Sequence, residues 1–401
     1  MNDSPDFPLI SWTEAEENRS ARWRSEAGNP PPKKVIVADD RIPADVAYKL
    51  VCEGTGLLWR GDFQNARQLL QALARRIDKQ AERKSIKTAD KKDKKDKKEA
   101  ASTPASSITI TQRFHQHRQA QAQRARILGM LLVPLEADYS IPLRRAPDVS
   151  QACEEVYEVY GAGKEASVAS LREVLGLIGA HEWRKKGVPV PALGGSIHPY
   201  YGVFSPVRGE YIDLIGRANL PSVQLAFDIG TGTGVLAALL AKRGVKHIVA
   251  TDQSARALEC AAENLQRLGV DKQVELLNAD LFPPGQAPLI VCNPPWVPAK
   301  PSSPIEHAVY DPDSRMLRGF LDGLAAHLTP NGEGWLILSD FAEHLGLRSR
   351  DELQAMFDKA GLRVALKQDI KPRHPRASDA EDPLHAARVK EVTSLWVLKA
   401  K

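Results

Sequence analysis

AFDIGTGTGVLAALLAKR (226–243) reads as a β-strand, a tight turn and a helix in immediate succession. The strand is apolar up to Ile229. Gly230, Gly232 and Gly234 then make a turn whose backbone can take positive φ and let a ligand approach closely. The helix beyond it, Val235 to Arg243, points its first N–H groups back at the turn. The same rhythm extends outward: HIVATD, a helix over ARALECAAENLQRLG, VELLNA, then LIVCN. Further on come a helix around SRMLRGFLDGLAAHL (314–328), the strand GWLILSD (334–340), the helix SRDELQAMFDKAG (349–361), the strand RVALKQDI (363–370) and a final strand VTSLWVLK (392–399). Strands alternating with helices imply right-handed crossovers and a parallel sheet covered on both faces. The polar loop before the final strand has no helical period, so that strand is expected to run antiparallel. The expected fold is α/β, with a seven-stranded Rossmann-like sheet.

A glycine-rich turn alone also suits a dinucleotide. Here the spacing is GxGxG, with Asp228 two residues before Gly230. An acid at that place repels a pyrophosphate and suits a cationic amine or a sulfonium. Gly230, Thr231, Gly232 and Gly234 form the candidate loop. The second strand ends in Thr251-Asp252, where a carboxylate can grip two ribose hydroxyls. The third ends in Asn278-Ala279-Asp280-Leu281-Phe282. Asp280 can accept from an exocyclic amine while Leu281 or Phe282 packs on the ring. Three carboxylates at successive strand ends coincide with the edge where open α/β sheets bind ligands.

The fourth strand runs into LIVCNPPWVP (289–298). Two prolines fix φ and remove two backbone donors, leaving a stiff turn that offers carbonyl acceptors. Asn293 adds a side-chain oxygen and Trp296 a flat π surface. Asn293, Pro294 and Trp296 together make a cradle for a planar NH₂ group, with two oxygens accepting its hydrogens and an aromatic ring against its face.

The remaining sequence sets bounds. The chain has 401 residues, is 43% hydrophobic and carries a formal charge of +5. The excess sits in KQAERKSIKTADKKDKKDKK (79–98), which has ten basic and four acidic side chains. The remaining chain is close to neutral, so no globally basic surface points to nucleic acid. Residues 79–107 read as a disordered lysine-rich insertion, with an RNA-binding arm as the functional alternative to a solubilising linker. Residues 1–78 and 108–190 read as a mostly helical N-terminal domain for substrate recognition. Within it WTEAEENRSARWRSEAG (12–28), 44–77, 146–161 and 166–187 are expected to be helical, VIVAD (35–39) a strand, and 108–137 a strand entering a helix. VPVPALGGSIHPYYGVFSP (188–206) reads as a hinge and lining loop. Residues 191–401 form the second domain.

His115 and His117 have the wrong spacing for two ligands on one helical face, and no metal site is expected. Cys52, Cys153, Cys260 and Cys292 form no CxxC pair, which favours a reducing cytosol. The start MNDSPDFPLI has no secretory pattern, and ILGMLLVPL (127–135) is too short to span a bilayer, so a cytoplasmic protein without membrane contact is expected.

Residues 200–400 resemble a class I S-adenosylmethionine-dependent methyltransferase. FDIGTGTG is similar to that family's first motif, ATDQS (with Asp252 and Gln253) to its acidic second, NADLF to its third and NPPW to its fourth. The NPP-aromatic form occurs in enzymes that methylate planar nitrogens. NPPWVP most resembles the HemK-like NPPYVP version, with Trp296 where tyrosine is usual. The segment 306–338 is similar to that family's following helix and strand. The resemblance implies S-adenosyl-L-methionine as cofactor and methyl transfer to an amide or exocyclic amine nitrogen. A HemK-like protein-glutamine methyltransferase comes first. An RNA or DNA base enzyme is the alternative, with 79–98 as its nucleic-acid contact, and a non-catalytic binding module on the same fold comes third. The substrate is accordingly a protein or an RNA.

Overall fold

The computed structural model describes residues 8–96, 108–157, 165–207, 209–301, 304–373 and 379–401. The chain divides into two compact units, Met1–Gly179 and Ala180–Lys401. The division falls earlier than the 190/191 boundary expected from sequence.

The first unit contains β1 (Leu9–Glu14), β2 (Glu17–Arg24), β3 (Lys34–Ala38), α1 (Ala44–Cys52), β4 (Thr55–Trp59), α2 (Phe63–Asp96), α3 (Ile110–Leu128), β5 (Leu131–Leu135), α4 (Ser150–Tyr157) and β6 (Ser167–Ser170). Helices supply more of its residues than strands do. It is nevertheless organised by a six-stranded mixed sheet, in the order β1-β2-β6-β5-β4-β3, which the mostly helical reading did not anticipate. The stretch 12–28, expected as a helix, is the β1–β2 hairpin, with Glu14 opposite Glu17. Its two turn residues, Ala15 and Glu16, have φ of 51° and 66°. Both therefore occupy the left-handed region that a two-residue hairpin turn requires. Ile10 and Trp23 of the hairpin pack with Leu58, Leu132 and Val168. That burial overrides the helix preference of a Glu- and Arg-rich segment.

Three more strands hide inside segments read as helices, β5 among them at the end of the helix expected over 108–137. β4 occupies 55–59 between Gly54 and Gly61, and β6 precedes the helix that follows it. Helix α3 starts at Ile110, where a strand was expected, and Thr109 caps it by accepting from the Gln112 N–H. Helix α2 carries the lysine tract as far as Asp96, where disorder was expected. Residues 97–107 lie outside the described residues.

Helix α5 (Leu171–Lys186) crosses the division between the units. The second unit continues with β7 (Val188–Val190), β8 (Gly195–Ile197), α6 (Glu210–Arg217), β9 (Leu225–Ile229), α7 (Val235–Lys242), β10 (His247–Asp252), α8 (Ala255–Arg267), β11 (Val274–Asn278) and β12 (Ala287–Cys292). It ends with α9 (Arg315–His327), β13 (Leu328–Ser339), α10 (Phe341–His344), α11 (Arg350–Lys359), β14 (Leu362–Ile370), α12 (His385–Arg388) and β15 (Thr393–Ala400). The large sheet has seven strands in the order β11-β10-β9-β12-β13-β15-β14. β9 to β13 pair in parallel, and β15 runs antiparallel to both β13 and β14. This is the architecture expected from sequence.

The core explains the order. Every residue of α7 from Val235 to Ala241 is buried, so this helix is apolar on all sides and lies within one core layer. On the sheet's other face Phe320, Leu321 and Leu324 of α9 pack with Ile290 and Leu336. The chain winds outward from β9 through β10 to β11, then returns to β12 on the other side of β9. That reversal opens a crevice at the strands' carboxyl ends, the ligand position of open α/β sheets.

Candidate active site

Strand register assembles the site. Ile229 lies opposite Thr251 of β10 and opposite Cys292 of β12. The next residue of each strand is therefore brought level: Gly230 at the centre, Asp252 on one side and Asn293 on the other. These three line one cavity of about 520 Å³, a size that suits a small-molecule ligand.

The glycine loop is held by carboxylates. Gly230, Gly232 and Gly234 have φ of 72°, 55° and 78°, which side-chain-bearing residues rarely adopt. Asp228 is only 1% exposed. Its Oδ2 accepts the Thr231 hydroxyl at 2.7 Å and the Ala237 N–H at 3.1 Å. Burial pushes its carboxyl up to about 6 against these two hydrogen bonds, with nearby Asp252 adding to the rise. Among the described residues Asp228 does not line the cavity. Its place is therefore beneath the loop, binding the turn to the start of α7, and not against a ligand amine as expected. Gly234 is likewise withdrawn. A Cβ there would stand 3.2 Å from the Ala261 side chain, so this glycine serves close packing with α8.

Asp252 faces the cavity. One oxygen accepts the Gly232 N–H at 3.0 Å and the other accepts the Ser254 N–H at 2.9 Å. Burial raises its carboxyl above the ordinary value. With a further backbone hydrogen bond from Gln253, these bonds fix the carboxylate plane at the cavity wall, where its oxygens can accept hydroxyl donors. The same bonds decide which ligand fits. The Gly232 N–H, the kind of donor a phosphate would need, is already given to a carboxylate, and the loop is bounded by acids. A diol-bearing, cationic ligand fits these residues, and a pyrophosphate does not.

Thr231, Gln253, Asp280 and Leu281 also line the cavity. Asp280, expected to meet an exocyclic amine, is ion-paired with Arg315 at 2.6 Å. Leu281 has φ of 79° and its carbonyl accepts the Thr251 hydroxyl at 2.5 Å. The side chain of Met316 lies over Gly230, where a Cβ would collide with its methyl group.

Asn293, Pro294 and Trp296 all border the cavity. The indole Nε1–H of Trp296 donates to the Asn293 Oδ1 at 3.0 Å. Trp296 was expected to offer its ring to an acceptor; it also holds the asparagine. Cys292 beneath them is fully buried, and burial drives its thiol well above the ordinary range. That is a core cysteine, as its place on the strand suggests.

Other wall residues were not identified from sequence. After the NPPW turn, Val297 pairs with Tyr310, and the Asp311 N–H donates to the Val297 carbonyl at 2.9 Å. Asp311 accepts the Met316 and Leu317 N–H groups, anchoring the first turn of α9. Phe341, Arg388 and Glu391 also border the cavity. Glu391 is 3% exposed, and the Ser339 hydroxyl donates to it at 2.7 Å. No periodicity marks the loop that carries Arg388 and Glu391, so only the fold places them. Residues 202–204 of the expected lining loop do reach the cavity.

Among the described residues no cluster of His, Cys, Asp or Glu could hold a metal ion, and no helix is long and apolar enough to cross a membrane. All four cysteines are free.

Residues 202–364 match the Methyltransferase small domain family. The release factor glutamine methyltransferase of Cereibacter sphaeroides is 33% identical over 197 residues, covering 45% of this chain and 66% of its own length. The ribosomal protein uL3 glutamine methyltransferase of Bradyrhizobium diazoefficiens is 34% identical over 159 residues, covering 36% of this chain and 48% of its own length. The release factor glutamine methyltransferase of Xylella fastidiosa is 32% identical over 176 residues, covering 39% of this chain and 60% of its own length. The chain thus spans about half to two thirds of the length of these relatives. Glycine loop, acidic strand ends and NPPW turn meet at one cavity within the stretch that the family model matches: residues 202–364 are a HemK-like methyltransferase small domain of the class I S-adenosylmethionine-dependent family.

Proposed function

We propose that this chain is an S-adenosylmethionine-dependent N-methyltransferase acting on the side-chain amide of a glutamine in a protein. The observation that carries the reading is the placing of Asn293 level with Gly230 and across β9 from Asp252, all on one cavity. S-adenosylmethionine, when bound, supplies an electrophilic methyl group on a sulfonium. Asp252 would take its ribose hydroxyls, and the glycine loop would allow the close backbone approach. An amide nitrogen is a poor nucleophile because its lone pair is delocalised. The remaining lone pair of the Asn293 oxygen and the Pro294 carbonyl would take the two N–H bonds and turn the nitrogen toward the methyl group. Such catalysis rests on positioning and local electrostatics, with no strong base. Relatives named as glutamine methyltransferases of a release factor and of a ribosomal protein support a protein acceptor. The base-methylating alternative has the lysine tract behind it and no cavity residue that favours it.

Asn293→Ala tests the reading. Methyl transfer from labelled S-adenosylmethionine to unmethylated release factor is expected to fall by about a hundredfold or more. Calorimetric titration is expected to show cofactor affinity within a few-fold of the parent. Full turnover in the variant overturns the acceptor cradle.

A further inference from the structure

The hydrogen bond between Trp296 and Asn293 carries an inference that rests on the reading above and deepens it. We infer that Trp296 is a positioning residue, whose indole N–H sets the direction in which Asn293 presents its oxygen to the acceptor.

An asparagine amide is nearly symmetric in shape, so packing alone selects poorly between its two orientations. Indole nitrogen is a donor with no acceptor capacity. At 3.0 Å from Nε1, the group of Asn293 that faces Trp296 has to be Oδ1. The Nδ2 amine is then turned the other way. A carbonyl oxygen accepts in its own plane along two lone-pair directions. With one direction given to the indole, the second is fixed in space. Both residues border the cavity, so Asn293 meets an acceptor N–H from one angle.

The lock is stiff because the tryptophan is held as well. Trp296 packs against the core layers on both faces of the sheet, touching the cluster that contains Leu236 and Val291 and the one that contains Ile290 and Leu317. Pro294 and Pro295 remove backbone freedom between the two partners. A tyrosine at this position would carry its hydroxyl at the far end of the ring. It could both donate and accept, and so would not force the same orientation. The indole therefore does work here that the aromatic face alone does not.

The test replaces Trp296 by β-(3-benzothienyl)alanine, which keeps the ring's shape and lacks the N–H, with 5-fluorotryptophan as the control that retains it. With release factor as acceptor, the benzothienyl protein is expected to lose about tenfold or more in kcat. Its KM for S-adenosylmethionine should stay within a few-fold, and the fluorotryptophan protein should match the parent. In the absence of acceptor, the Asn293 side-chain ¹⁵N relaxation should report an ordered amide in the parent and a mobile one in the benzothienyl protein. Equal kcat in all three proteins, or an Asn293 amide equally ordered in all three, overturns the inference. A parent enzyme that transfers nothing to release factor overturns the glutamine reading instead, and the relaxation measurement still decides the role of Trp296.

Discussion

In the N-terminal sheet, Arg24 lies over the neighbouring rings of Tyr139 and Tyr157, 5.2 and 4.7 Å from their centres, and its Nε–H donates to the Ser167 hydroxyl at 2.9 Å. The Tyr157 hydroxyl donates in turn to Glu173 at 2.9 Å. In the C-terminal sheet, Asp252 is half-buried, its partners are backbone N–H groups of the glycine loop and of Ser254, and it lines a cavity. Both units remove charge from bulk water, which is costly unless hydrogen bonds replace the solvent. The first unit replaces it with one hydroxyl and two tyrosine rings, and the Arg24 Nη2 is buried without a hydrogen-bond partner among the described residues. The second leaves part of the replacement to a ligand. A buried charge whose partners all belong to the fold is there to specify structure, whereas one satisfied by a strained loop and open space marks a site.

The contrast can be broken experimentally. The largest effect is expected from Arg24→Ala, which strips the two rings of their cation and removes the donor to Ser167. It should lower unfolding free energy by about 3 kcal/mol in urea titration and leave cofactor affinity unchanged. A change in affinity would erase the distinction drawn above. Asp252→Ala should do the reverse, weakening S-adenosylmethionine binding about a hundredfold, equivalent to ~2.7 kcal/mol, with little change in stability.

Glu173 sharpens the comparison through pH. Burial raises its carboxyl from 4.5 to about 7, outweighing the hydrogen bonds from the Glu26 N–H and the Tyr157 hydroxyl. Between those values the folded protein holds a proton that the unfolded chain has released. The contribution is complete below about 4.5 and is lost as pH rises through about 7. Thermal unfolding of the parent should therefore weaken by on the order of 2 kcal/mol across that window, and Glu173→Gln should flatten this part of the profile. A parent stability that rises over the same range contradicts the assignment. The smallest effect is expected from Arg315→Ala. Its pair with Asp280 is largely exposed, so freeing Asp280 should tighten cofactor binding by roughly threefold at low salt and not at high salt.

How much of this was legible in sequence follows the same division. The C-terminal unit announces itself because period-2 and period-3.6 segments alternate and each strand ends in a polar residue at the ligand edge. Its seven strands, the antiparallel last strand and the cavity residues on the glycine loop, the acidic strand ends and the NPPW turn follow from that. Asp228 is the instructive exception: sequence places it at the strand end, but only register and burial show it turned beneath the loop. Arg388 and Glu391 stayed hidden because the segment carrying them has no period to read. In the N-terminal unit the turn Ala15-Glu16 carries none of the usual Asn-Gly chemistry, so its hairpin looked like a charged helix. β4 is five residues long, is buried throughout and sits between two helices, where a short apolar run reads equally well as part of either.

The position of β15 has a consequence for how the molecule is made. β14 joins the large sheet only through β15, and β13 needs β15 to cover its outer edge. During synthesis, both would emerge with bare hydrogen-bonding edges and wait for residues 393–400 to fill the gap between them. The sheet thus closes out of chain order, by a long-range antiparallel insertion, which is a slow kind of folding step and exposes edges prone to pairing with other chains. Any nonsense mutation before Thr393 would leave most of the cavity encoded yet turn its sheet into an aggregation template.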